Sequence, residues 1–92
     1  MSNLEHEIQR GKDAEYLLQH PLLVEAFEVI EKEVTEQWQN SPARDVEGRE
    51  KLWLSLKLLN RLQAQIKSVV ETGQVAQATL AQRIGQRLSP FS

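Results

Sequence analysis

The stretch Asn40-Ser41-Pro42-Ala43-Arg44-Asp45 decides the fold. Read as a helix start, Ser41 is an N-cap whose hydroxyl accepts from an early backbone N–H. Pro42 then sits at the first helical position, where its missing N–H does no harm. Asp45, Glu47 and Glu50 place negative charge near the positive end of the helix dipole. The segment is therefore an elbow, with one helix entering and a second leaving.

Working backward, helix 1 is expected over 21–39. Leu23, Phe27, Ile30, Val34 and Trp38 recur at steps of three or four and make one apolar stripe. Glu25, Glu28, Glu31, Glu33 and Glu36 fill much of the remainder, as a solvated face or a docking face for a basic helix. Pro21 restarts the chain after an N-terminal arm over 2–19. In the arm, Leu4, Ile8, Gly11, Ala14 and Leu18 share one side. Gly11 and Ala14 are small enough to let another helix approach closely.

Working forward, helix 2 is expected over 42–71, which is 30 residues, or about 45 Å at 1.5 Å per residue. Its apolar residues include Leu52, Trp53, Leu54, Leu56, Leu58, Leu59, Leu62, Ile66, Val69 and Val70. At 100° per residue they cover about 260° of the circumference, well beyond the ~100° one neighbour needs. Helix 2 therefore calls for cover on at least two sides. Helix 1 is one; the arm, the C-terminal segment or a second subunit supplies the other. Gly73 reads as a C′ residue ending helix 2. A short C-terminal helix is expected over 74–88, with Val75, Leu80, Ile84 and Leu88 as its apolar row, and Ser89–Ser92 is expected to fray. A fold centred near Ser41 sets Leu23 against Leu59, Phe27 near Leu56 and Ile30 near Leu52. It also sets Glu31 beside Lys51 and Glu25 beside Lys57. The arm would lie along Leu62–Val75. The fold class expected is all-α: one domain over 1–92, a long antiparallel helical hairpin with an N-terminal helical arm and a short C-terminal helix.

Charge is sorted along the same axis. Residues 1–47 carry 11 acids against 4 bases, and residues 48–92 carry 2 acids against 7 bases, which gives −7 and +5 and the overall −2. The net charge gives no global reason to bind nucleic acid. Cysteine is absent, so there is no disulfide framework and no thiolate metal site. The charged N-terminus, MSNLEHEIQRGKDAE, does not read as a signal peptide. No apolar run approaches the ~20 residues of a membrane span.

Candidate chemistry is sparse. His6 and His20 belong to no metal-ligand pattern and read as surface histidines; His6-Glu7 begins a zinc-protease helix but lacks the second histidine. The serines have no nucleophile-elbow context, and no glycine loop is built to cradle phosphate. No catalytic residue, cofactor or metal is expected, and the chain reads as a non-enzyme. Leu80-Ala81-Gln82-Arg83-Ile84-Gly85 resembles the first helix and turn of a lambda-repressor-like helix-turn-helix, but too little chain follows for a recognition helix. The residues expected to meet a protein partner are Trp38, Arg44, Arg49, Trp53, Leu54, Leu58, Arg83 and Arg87. Tryptophan and arginine dominate interface energy, and Trp53 falls at the edge of its helix's apolar arc. Arg83 and Arg87 could touch phosphates, but two charges give little affinity.

The run Pro21-Leu22-Leu23-Val24-Glu25-Ala26-Phe27, then Trp38, Ser41-Pro42-Ala43-Arg44-Asp45, Gly48-Arg49-Glu50-Lys51-Leu52-Trp53 and Glu71-Thr72-Gly73, resembles small helical proteins encoded by tailed bacteriophages and prophages. The likeness spans about residues 8–76. It implies a phage setting, in host cytoplasm or virion, and carries over no catalytic residue. The function expected is a non-enzymatic interaction protein, a small assembly or adaptor component or minor virion component. It would act through a homo-oligomer, most simply a dimer, and through a phage capsid- or portal-module protein. A host-directed inhibitor of a bacterial enzyme or defence complex, and a nucleic-acid-binding regulator using the basic half, are the other classes weighed.

Overall fold

A computed structural model describes residues 3–88, with side chains described over 3–87. The chain is all-α. Three helices follow one another, α1 (Asn3–Gln19), α2 (Pro21–Asn40) and α3 (Val46–Leu88), with no strand among the described residues. They form a helical hairpin preceded by a helical arm, as the sequence predicts.

The break between α1 and α2 is one residue wide and is made by Pro21. A proline disfavours helical backbone in the residue before it and removes one N–H from the ladder. His20 accordingly adopts extended backbone (φ −68°, ψ 123°). It caps α2 with its side chain: Nδ1 accepts the Leu22 N–H at 3.2 Å. Its carbonyl accepts from Leu23 and Val24, both at 3.0 Å. The histidine read as a bland surface residue thus has a structural task.

The elbow differs from its sequence reading. Ser41 closes α2 and does not open the next helix. Its N–H donates to the Trp38 carbonyl at 3.2 Å, and its hydroxyl donates to the same oxygen at 2.6 Å. Pro42 follows Ser41 in extended backbone (φ −75°, ψ 143°) and begins a turn closed by the Asp45 N–H on the Pro42 carbonyl at 3.0 Å. The cap of α3 is Asp45, whose Oδ1 accepts the Gly48 N–H at 3.1 Å. Both Ser41 and Asp45 are good caps, and the aspartate lies where a glycine three residues on leaves room for its carboxylate. A Cβ on Gly48 would run into that carboxylate.

The second correction concerns Gly73. α3 does not end there: it is one helix of 43 residues, and no glycine has positive φ. The expected helix 2 and short C-terminal helix are therefore parts of a single element. Hydroxyl residues within it bond back to their own helix, Ser55 to the Lys51 carbonyl at 2.9 Å and Thr79 to the Val75 carbonyl at 2.8 Å, so they leave the ladder intact. The expected fraying of Ser89–Ser92, and the core role of Leu88, lie outside the described residues.

The chain divides into two compact units, one made of residues 1–17 and 66–92, the other of 18–65. In the first, α1 packs on the C-terminal part of α3. Its centre is a contact between two glycines. A Cβ on Gly11 would stand 2.8 Å from Gly73 Cα, and one on Gly73 would stand 2.8 Å from Gly11 Cα and 3.0 Å from the Glu7 carbonyl oxygen. The backbones touch, and only glycine at both positions permits it. Ala14 and Ala76 are buried beside them. Each helix thus presents a Gly-x-x-Ala step, and the predicted arm side (Leu4, Ile8, Gly11, Ala14) is the covered one. The arm lies about a turn further along α3 than expected, with Gly11 opposite Gly73. Of the expected C-terminal apolar row Leu80 is half-buried, whereas Val75 and Ile84 stay largely exposed beside α1 and the buried positions are Gly73 and Ala76.

The second unit is the hairpin of α2 with residues 46–65. Phe27 and Leu59 are its buried side chains. Leu23, Val34, Leu52 and Leu56 are half-buried. Counting equal steps back from Asn40 and on from Val46, the two ends of the elbow, brings Phe27 level with Leu59. The expected Leu23–Leu59 register is therefore displaced, because residues 42–45 are turn and not helix. The expected ion pairs go with it: Lys51 pairs with Glu47 of its own helix at 3.5 Å, and the Lys57 ammonium lies 5.1 Å from the Trp53 ring centre.

Candidate partner-binding surface

The residues singled out as partner-facing fall into three local settings. The first is the elbow. The Arg49 guanidinium stacks on Trp38, 4.1 Å from the ring centre. The same Nη1 donates to the Trp38 carbonyl at 3.2 Å, to the Ser41 carbonyl at 3.1 Å and to the Ser41 hydroxyl at 2.9 Å. A cation on the last carbonyls of α2 satisfies groups that have no partner inside the helix and opposes the negative end of its dipole. Arg49 is thus spent on holding the elbow. Trp38 is 40% exposed, with Arg49 lying over its ring. Arg44 is exposed at the turn.

The second setting is the outward side of α3 within the hairpin unit. Trp53, Leu54, Leu58 and Leu62 are 52%, 47%, 65% and 52% exposed. The expected surplus of apolar surface on this helix is therefore visible, and nothing in residues 18–65 covers it. α2 carries outward apolar residues as well, Leu22 at 69% and Val29 at 46%. These two went unnoticed in the sequence because they lie off the main stripe. Their spacing of seven was the available signal.

The third setting is in the other unit. Arg83 and Arg87 flank an open groove of about 1010 Å³ with Leu4, Leu80 and Ile84. They belong to the unit of residues 1–17 and 66–92, and the elbow residues belong to the other. Gly85 of the helix-turn-helix-like segment lies inside α3, so among the described residues the helix runs on past that segment.

No group of three or more potential metal ligands occurs among the described residues. Among them, no helix is long and apolar enough to cross a membrane. No protein-family model matches this chain, and no curated protein or solved structure matches it significantly.

Proposed function

We propose that this chain is a non-enzymatic interaction protein of a tailed bacteriophage, acting in particle assembly as an adaptor or minor virion component. The observation that carries the reading is the outward apolar row of α3, with Leu54, Leu58 and Leu62 each about half exposed or more. Contiguous apolar side chains left in water mark a surface meant for another protein. The phage setting rests on the resemblance of the Ser41–Asp45 and Gly48–Trp53 segments to small phage-encoded helical proteins.

The test is mass spectrometry of purified virions, paired with capture of partners on the immobilised chain from infected cells. Presence in the particle, with a capsid or portal protein retained, supports the reading. Absence from virions together with specific retention of a host enzyme would replace it by the host-directed inhibitor.

A further inference from the structure

We infer that the outward side of the hairpin unit binds a second copy of this chain, with α2 of each copy lying antiparallel on α3 of the other. The inference deepens the reading of the chain as an interaction protein and rests on it for why such a surface exists.

The argument begins with rotation. On α2 the covered side runs through Leu23, Phe27 and Val34. At 100° per residue, Leu22 and Val29 lie about 120–140° back from it. On α3 the covered side runs through Leu52, Leu56 and Leu59. Leu58 and Leu62 lie about 90–130° back from it in the same rotational sense, and Leu54 lies further round. Two helices running in opposite directions convert one rotational sense into opposite directions. Both apolar rows therefore emerge on the same side of the hairpin, as one surface.

Charge then chooses the occupant and its orientation. α2 carries five glutamates and one lysine; residues 46–65 of α3 carry four bases and two acids. Two hairpins can meet face to face in two symmetric ways. A two-fold axis across the helices sets α2 on α2, glutamates against glutamates. An axis along the helices sets α2 on the partner's α3, acid against base, twice. Like charges facing one another are disfavoured, so the second arrangement is selected.

Register supplies an independent check. An axis along the helices keeps every residue at its own height. Heights within one hairpin are set by the elbow, whose ends Asn40 and Val46 add to 86, and agree with the Trp38–Arg49 contact, which adds to 87. The same sums set Val29 on Leu58, Glu36 on Lys51 and Glu25 on Arg61 across the two copies. At this alignment Val29 meets Leu58 and two acids meet bases, while Leu54 and Leu62 come level with Glu33 and Glu25. Glu25 and Arg61 both fall at the outer rim of their rows, so they meet there.

Charge exchange tests it with the full-length chain. The chain of 10.6 kDa should sediment at twice that mass. The double variants E25K/E36K and K51E/R61E should each run as monomers and recover the doubled mass when mixed in equal amounts. L58E should raise the dissociation constant at least about tenfold, as loss of buried leucine area requires. Circular dichroism separates a lost contact from a lost fold. The chain has no cysteine, so V29C/L58C gives a second readout, an inter-chain disulfide under oxidising conditions. A wild-type monomer at about 100 µM, or variants that dimerise alone yet fail to pair when mixed, would overturn the inference. Neither result bears on presence in virions, so the two readings fail separately.

Discussion

At the scale of single residues, the glycines show how position reverses a substitution's sign. Alanine is the better helix former by about 1 kcal/mol. At Gly85 an added Cβ would meet nothing within 4 Å. Gly85→Ala should therefore stabilise, by up to about 1 kcal/mol. At Gly73 the same methyl would enter the backbone of α1, at Gly11 Cα and the Glu7 carbonyl. Backbone cannot swing aside as a side chain does, so Gly73→Ala should destabilise by about 1–3 kcal/mol despite the better propensity. Thermal melts followed by circular dichroism read both; equal shifts of the same sign would contradict the glycine contact. Arg49 offers a second residue-scale expectation. Its planar guanidinium stacks on Trp38 while Nη1 reaches the end of α2, and a lysine ammonium has no plane to stack in the same way. Arg49→Lys should cost roughly 1 kcal/mol and Arg49→Ala somewhat more, measured by urea denaturation. A lysine variant as stable as the parent would show the elbow to be held by other means.

At the scale of elements, the caps account for where helices stop, and Asp45 is the cap that matters for α3. Asp45→Ala should cost about 1 kcal/mol, and Asp45→Asn little, because an amide oxygen can still accept the Gly48 N–H. Ser41→Ala removes a hydroxyl bonded to the last turn of α2 and one acceptor of the Arg49 side chain, and should leave the Asp45 cap on the Gly48 N–H in place. Amide exchange at 46–49 distinguishes the two: fast exchange there is expected in the Asp45 variant alone. The continuity of α3 is directly measurable too. Cα chemical shifts should stay helical through residues 70–76, whereas a helix end at Gly73 would show as a reversal. Much of this was readable beforehand. Pro21 and the Ser41–Asp45 segment break helices for steric reasons confined to a few residues, and both breaks occur, although α3 begins at Val46 and not at Pro42. Gly73 was misread because glycine has two uses, ending a helix and admitting a neighbour. Only the presence of Gly11 against it selects between them.

At the scale of the whole molecule, charge and apolar surface are partitioned by element. α2 is acidic and α3 has a basic excess, yet the pairs expected between them within one chain do not form: Lys51 turns to Glu47, and Lys57 to Trp53. Exposed pairs are worth only about 0–1 kcal/mol, so they yield readily to local alternatives. In the proposed dimer the charge segregation acts on which surfaces meet. Raising salt should weaken association of the parent chain while leaving its helix content unchanged, because screening acts on charges between copies and hardly on buried apolar contacts. Sedimentation at about 0.05 M and 1 M salt checks this; an unchanged dissociation constant would remove charge from the interface.

The sequence by itself determined that the chain is helical, that it breaks at Pro21 and again within 41–45, which side of the arm is covered and how charge is sorted. Each of these follows from forces acting within about four residues, or from a period read along one helix. Only the tertiary structure decided that Ser41 ends a helix while Asp45 begins one, and that Gly73 is a contact point inside α3. It alone settled which leucines of α3 stay in water. Those outcomes depend on which distant segments come to lie together: Gly11 on Gly73, and Arg49 on the end of α2. A local pattern leaves such alternatives nearly equal in energy, and packing breaks the tie.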